Sequence, residues 1–169
     1  MKKITLTILT LFLFIPATIL GQTKEELKAL ERILDKAVEE RLKEFCSNTN
    51  KQLPIYLSEC EWLSSVIYVG QIKTMVMNYN ISKKCRFRHK EVAKTMAKVK
   101  SQLIGDMFFN KKEIKEDAKT MVDLMDTFDI KFKMVYRNEK SSKILGFFFV
   151  NYNDIINEFQ KRNPKTKTL

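Results

Sequence analysis

Apolar residues follow two different spacings along this chain, and the changes of spacing divide it into predicted helices and strands. From Leu27 to Phe45, apolar residues recur every three or four positions, which is the spacing of one face of an amphipathic helix. Thr23 and Glu26 stand just before this stripe as a capping box, in which each side chain satisfies a free backbone N–H of the first turn. The pattern predicts a helix that ends near Ser47, followed by a polar loop.

A period of two begins after Leu53-Pro54 and is typical of strands. It predicts a short edge strand at 55–57, where a preceding proline removes no ladder hydrogen bond. A second strand is predicted at 62–69, then a turn at Gly70-Gln71 and a return strand at 72–81.

The second half of the chain repeats the change from helical spacing to alternation. Helical spacing predicts helices from Lys90 to near Gly105 and over 111–126, and alternation predicts strands at 130–137 and 144–151. The last of these strands is apolar on both faces, which indicates a central position in the sheet. One helical turn is predicted at 154–159.

This order of elements predicts an α+β domain. We expect an antiparallel sheet of four to five strands, packed on one face by an N-terminal helix and two central helices. The covered face carries Met75, Met77, Tyr79, Phe132, Met134 and Tyr136, and the other face carries Thr74, Asn78, Asn80, Lys131, Lys133 and Arg137.

The first 21 residues have the composition of a secretory signal peptide: two lysines, an apolar run interrupted by Pro16, and a small residue, Gly21, before Gln22. We therefore expect residues 1–21 to be a signal peptide, 22–160 a single α+β domain and 161–169 a basic flexible tail. Cleavage near Gly21 predicts a periplasmic or secreted protein. Retention of the segment as a membrane anchor is the alternative.

Positive charge is the strongest feature of the sequence that the predicted core does not explain. The formal net charge is +11, and loss of Lys2 and Lys3 with the signal peptide leaves +9. A basic block follows the return strand, and its helical part places lysines at i, i+4 and i+8 on one stripe. We propose as ligand-binding candidates Lys83, Lys84, Arg86, Arg88, Lys90, Lys94 and Lys98. An ordinary solvated helix face gives the same pattern.

The residues that could carry catalysis are few. Cys85 and His89 could form a nucleophile pair on one helical face, and Glu59 and Glu61 could serve as paired acids. Solvated surface residues and a structural cysteine explain them more simply. The three cysteines, the third being Cys46, allow one disulfide with one free thiol or three buried thiols. We predict no catalytic residue, no metal site and no cofactor.

The arrangement resembles a group of small exported bacterial α+β domains with no assigned activity. The matching residues are Leu53-Pro54-Ile55, Trp62-Leu63, Gly70, Met77-Asn78-Tyr79-Asn80-Ile81 and Lys133-Met134-Val135-Tyr136. The resemblance covers about residues 23–150. It implies a fold class and an exported location, and no activity.

These observations favour an exported, non-enzymatic binding protein with a basic surface. The expected partner is an anionic envelope component, including a membrane surface, or an acidic protein, in an inhibitor-like or immunity-like role. Export argues against nucleic acid. A small envelope hydrolase or thiol enzyme and a structural envelope subunit are the alternatives, and the oligomeric state stays open.

Overall fold

A computed structural model of the chain describes residues 23–85 and 89–164, apart from the side chains of residues 89–94. The predicted signal peptide, Arg86, Arg88 and the last five residues lie outside the described residues. The chain divides into two compact units between Glu40 and Arg41, and every strand belongs to the second.

The described residues form four α-helices and seven strands. The helices are α1 Lys24–Asn50, α2 His89–Phe108, α3 Glu116–Phe128 and α4 Tyr152–Arg162. The strands are β1 Ile55–Ser58, β2 Glu61–Val69, β3 Thr74–Ile81, β4 Phe109–Asn110, β5 Glu113–Ile114, β6 Lys131–Asn138 and β7 Ile144–Val150.

The fold is α+β, as predicted, but the main sheet is mixed and not antiparallel. Its five strands lie in the order β1-β2-β3-β6-β7, and β4 pairs only with β5. Three neighbouring pairs are antiparallel, whereas β3 and β6 run parallel, with Met75 opposite Phe132. The reason is the connection: α2 and α3 carry the chain back to the starting end of β3, so the next strand must run in the same direction.

Several helix boundaries differ from the predicted ones. Helix α1 runs on to Asn50 and includes the predicted polar loop. Helix α2 passes through Gly105 to Phe108, and the Arg162 side chain occupies the space where a larger residue at 105 would place its Cβ. The helix predicted from Lys111 begins only at Glu116, because Lys111 takes a left-handed conformation (φ 59°) in the turn between β4 and β5.

The C-terminal helix is longer than the predicted single turn. Asn151 and Asp154 form a capping box at its start, with the Asn151 side chain 3.0 Å from the Asp154 N–H. The helix continues through Lys161 and Arg162, which sequence analysis placed in the tail. The Arg162 guanidinium pairs with Glu158 at 3.1 Å, and Glu158 also accepts a hydrogen bond from Ser101 of α2. These contacts fix the last turn of α4 against α2.

The covered face of the sheet is the predicted one. Met75 and Met134 are fully buried, and Phe132 packs edge-on against Phe108 of α2 at 6.2 Å between ring centroids. The ring of Tyr79 stacks on the ring of Tyr136 at 5.2 Å. Side chains alternate between the two sides of each strand, so the residues between these buried ones lie on the opposite side of the sheet, here called the outer face.

Candidate interaction surface

Strand β7 lies at the edge of the sheet and not at its centre. It pairs with β6 alone among the described residues. The apolar character of both its faces therefore has two origins: Phe148 and Val150 are buried on the covered face, whereas Phe147 and Phe149 are about half exposed on the outer face. A strand that is apolar on both faces is not always buried on both faces.

Four outer-face residues on β6 and β7 form a surface that we call the β7 patch: Lys133, Ile144, Phe147 and Phe149. The rings of Phe147 and Phe149 meet edge to face at 6.1 Å. The Lys133 ammonium lies 4.8 Å from the centre of the Phe147 ring and 5.5 Å from that of Phe149. These are cation–π distances. The patch therefore presents apolar rings and a positive charge in one place.

The rest of the outer face is polar at its centre and mixed towards β1 and β2. Its centre is a ladder of hydrogen bonds across three strands: the Asn78 side chain donates to Ser65 at 2.8 Å and accepts from Arg137 at 3.4 Å. This ladder agrees with the predicted polar face on β3 and β6. Two exposed large apolar residues lie on the far side of it: Ile67 of β2, and Tyr56 of β1, whose ring lies 5.9 Å from that of Trp62. The aromatic residues of the outer face in β7 thus stand beside polar neighbours.

The opposite edge of the sheet is short and irregular. Strand β1 is short and has an irregular register with β2, and it covers only the first part of β2. Further along, the Asn50 side chain donates to the Val66 carbonyl at 2.8 Å and accepts from the Val66 N–H at 2.9 Å. One turn earlier on α1, burial raises the pKa of the Cys46 thiol, which accepts a hydrogen bond from the backbone of Tyr68. The end of α1 therefore provides hydrogen bonds to the part of the β2 edge that β1 does not reach.

The basic block is described in part. Lys83 and Lys84 are exposed in the turn after β3, and Lys98 is exposed on α2. The backbone at Lys90 and Lys94 belongs to α2, so the predicted helical spacing is present. Lys100, the next lysine of the block, pairs with Asp154 of α4 at 2.6 Å. Whether the three spaced lysines form one binding stripe stays a prediction.

The cysteine of the candidate Cys85–His89 pair is oxidised. Cys85 forms a disulfide with Cys60, and Cys46 is the buried free cysteine among the described residues. A disulfide sulfur is not a nucleophilic thiolate, so the alternative in which Cys85 and His89 form a nucleophile pair does not hold in this oxidised state. The side chain of His89 lies outside the described part of the chain.

The two candidate acids lie in different surroundings. Glu59 is exposed in the turn between β1 and β2. Glu61 lies on the covered face beside Tyr79 and Tyr136, where burial raises its pKa. Burial, and after it the charge of Glu61, raises the pKa of both tyrosines above the ordinary phenol value. The two rings are buried in the core.

None of the histidine, cysteine, aspartate and glutamate side chains in the described part of the chain form a group of three or more that could hold a metal ion. None of the described helices is long and apolar enough to cross a membrane.

The fold resembles that of known structures, although the sequence does not place it in a family. No protein-family model and no curated protein matches the chain. A protein from Pseudomonas aeruginosa, solved as a proposed secreted protein, superposes with a TM-score of 0.55 at 9% identity, over 72% of this chain and 95% of that one. This likeness shows a shared fold. The exported location that sequence analysis inferred stays a prediction.

Two further solved structures are similar at a lower level. The pilotin EpsS of the type 2 secretion system of Vibrio vulnificus matches with a TM-score of 0.48 at 9% identity, over 72% of this chain and 94% of that one. The type II secretion system pilotin AspS of Vibrio cholerae matches with a TM-score of 0.48 at 12% identity, over 71% and 94%.

Sequence analysis missed the β7 patch, although its signal was present. Lys133 was placed on the outer face, and the apolar character of both faces of residues 144–151 was noted. Whether apolar residues on both faces are buried depends on the position of the strand in the sheet. The order in which strands pair cannot be determined from a local sequence pattern.

Proposed function

We propose that the protein is an exported, non-enzymatic interaction protein that binds a partner protein through the β7 patch. The observation that supports this most directly is the exposure of Phe147, at 52%, and of Phe149, at 41%, side by side on one face. Single exposed apolar residues are ordinary, whereas neighbouring ones rimmed by polar groups indicate interaction sites. Aromatic residues are also enriched where protein interfaces are buried.

The Cys60–Cys85 disulfide supports the non-enzymatic part of the proposal, because it occupies the thiol of the one nucleophile pair that the sequence suggested. The second pair of candidates, Glu59 and Glu61, is split between an exposed turn and the covered face. A half-buried carboxyl beside two buried tyrosines is explained by packing alone.

Photo-crosslinking in the cells that make the protein tests the proposal. Benzoylphenylalanine at position 147 is expected to give an adduct with a discrete partner. The matched control places the same residue at Asn157, an exposed position of α4. Adducts of the same kind and yield from both positions, or none from position 147, would contradict the proposal.

The basic block supports a second interaction, with an anionic envelope component or an acidic protein. Exposure of Lys83, Lys84 and Lys98 favours it, together with the net charge. We expect the Lys90→Gln, Lys94→Gln, Lys98→Gln variant to bind vesicles of anionic phospholipid more weakly than wild type, with a nearly unchanged melting temperature. Equal binding, or binding that ignores ionic strength, would reduce the block to a solubility feature.

A further inference from the structure

From the two edges of the sheet we infer how the partner binds: an extended acidic segment of the partner adds to β7 as a sixth strand. This inference rests on the proposed function, since it describes how the β7 patch would be used. The two edges differ in a way that points to it. At one edge β1 has only four residues and an irregular register, and the end of α1 bonds to β2 beyond it. At the other edge β7 has seven residues, and no described residue pairs with its outer side.

The composition of β7 is unusual for a strand at an edge. Its sequence, ILGFFFV, has no charge and no proline over seven residues. Proteins normally protect edge strands with charges, prolines, bulges or short length, because free N–H and C=O groups there can pair with another chain. The irregularity in the β6–β7 register lies near the start of β7, between Tyr136 and Arg137, and the pairing from Gly146 to Val150 is regular. An edge of this kind is suited to strand addition.

The charges around the edge select an acidic occupant. Lys133 belongs to β6, but its ammonium leans over the rings of Phe147 and Phe149. Its charge is therefore displaced from β6 towards the free edge, where a neighbouring strand would lie about 4.8 Å from β7. Lys131 and Arg137 lie on the same face, and Asp129, at the end of that face, pairs with Lys131 at 3.0 Å.

The same charges argue against a second copy of this chain. Two copies paired through β7 would bring their Lys133 ammonium groups together at one interface. The net charge, +11 for the full chain and +9 without Lys2 and Lys3, adds repulsion between the copies. An acidic segment with apolar residues between its acids would instead cover the rings and face the lysine.

The test uses the full chain and a capped peptide of alternating glutamate and valine. We expect the peptide to bind, with changes in NMR amide shifts concentrated in β7. The same peptide, N-methylated at two adjacent central residues, loses one backbone donor on each edge and is expected to bind about tenfold more weakly. A peptide with lysine in place of glutamate is expected not to bind. Failure of the glutamate peptide to bind, or equal binding of its N-methylated form, would overturn strand addition.

Variants of the protein locate the site. Phe147→Ser combined with Phe149→Ser is expected to weaken peptide binding about tenfold or more. Ile72→Ser, at a residue 58% exposed outside the patch, serves as the control and is expected to bind as wild type does. Unchanged binding by the double variant would overturn the assignment to β7.

Two further outcomes separate this inference from the proposed function. A dimer in sedimentation equilibrium that the double variant converts to a monomer would show that a second copy is the occupant, and would overturn the inference. A crosslinked partner at position 147, with a peptide that binds equally well when N-methylated, would leave the proposed function standing and remove strand addition alone.

Discussion

Three consecutive phenylalanines in β7 are expected to respond differently to the same substitution. Phe148 is 9% exposed, and its ring lies 6.1 Å from that of Tyr136 on the covered face. Its replacement by serine removes a buried ring and leaves a cavity, which costs about 4 kcal/mol. Phe147 is 52% exposed. Its replacement loses about half of the ~1.5–3 kcal/mol that full burial of the ring would contribute, which is about 1 kcal/mol.

Urea denaturation of the three single serine variants measures this difference. The free energies of unfolding are expected to fall by about 1 kcal/mol for Phe147→Ser, about 4 kcal/mol for Phe148→Ser and about 1 kcal/mol for Phe149→Ser. Loss of the Lys133 cation–π contact adds at most about 0.5–1 kcal/mol to the two outer variants. Similar losses for Phe147→Ser and Phe148→Ser would refute the orientation of β7, and with it the patch.

Three further predictions concern the rest of the fold. Asn50→Ala is expected to destabilise the protein by about 2 kcal/mol more than Asn48→Ala, because it removes two hydrogen bonds to the strand edge of about 1 kcal/mol each; equal urea midpoints would contradict this. Glu61→Gln should stabilise the protein at about pH 7 and have little effect at about pH 4, when compared by urea denaturation. Because burial raises the pKa of Glu61, the folded state keeps a proton that the unfolded state has released, so wild-type stability falls as pH rises through that window; a gain that is the same at both pH values would contradict it. Reduction of Cys60–Cys85, which are 25 residues apart, should lower the free energy of unfolding by about 3 kcal/mol, and a loss under about 1 kcal/mol would contradict the loop-closure estimate.

Local patterns predicted the elements well where the pattern and the capping residues agreed. The Thr23 and Glu26 capping box is present, with the Thr23 N–H donating to Glu26 at 2.7 Å. The strand faces are also as predicted, since alternation decides them without knowledge of the neighbours. The end of α2 was not predictable from Gly105, because this glycine leaves room for the side chain of Arg162, which lies 57 positions later in the numbering.

The candidate site was less predictable, because it depends on which strands become neighbours. Strand β6 lies between β3 and β7, which leaves β7 at the edge, and no residue within β7 indicates that position. The Cys60–Cys85 pairing likewise joins segments on either side of β2 and β3. The basic block could be found from the sequence alone, because clustered charge is a property of the sequence and needs no tertiary contact.

The affinity of the partner crosslinked at position 147 tests the central claim most directly. It should be measured with wild-type protein, with the Phe147→Ser, Phe149→Ser variant and with the Lys90→Gln, Lys94→Gln, Lys98→Gln variant. We expect the serine variant to lose about tenfold or more in affinity while remaining folded, and the glutamine variant to lose less and mainly at low salt. Unchanged affinity of the serine variant would contradict the claim that the β7 patch is the binding surface.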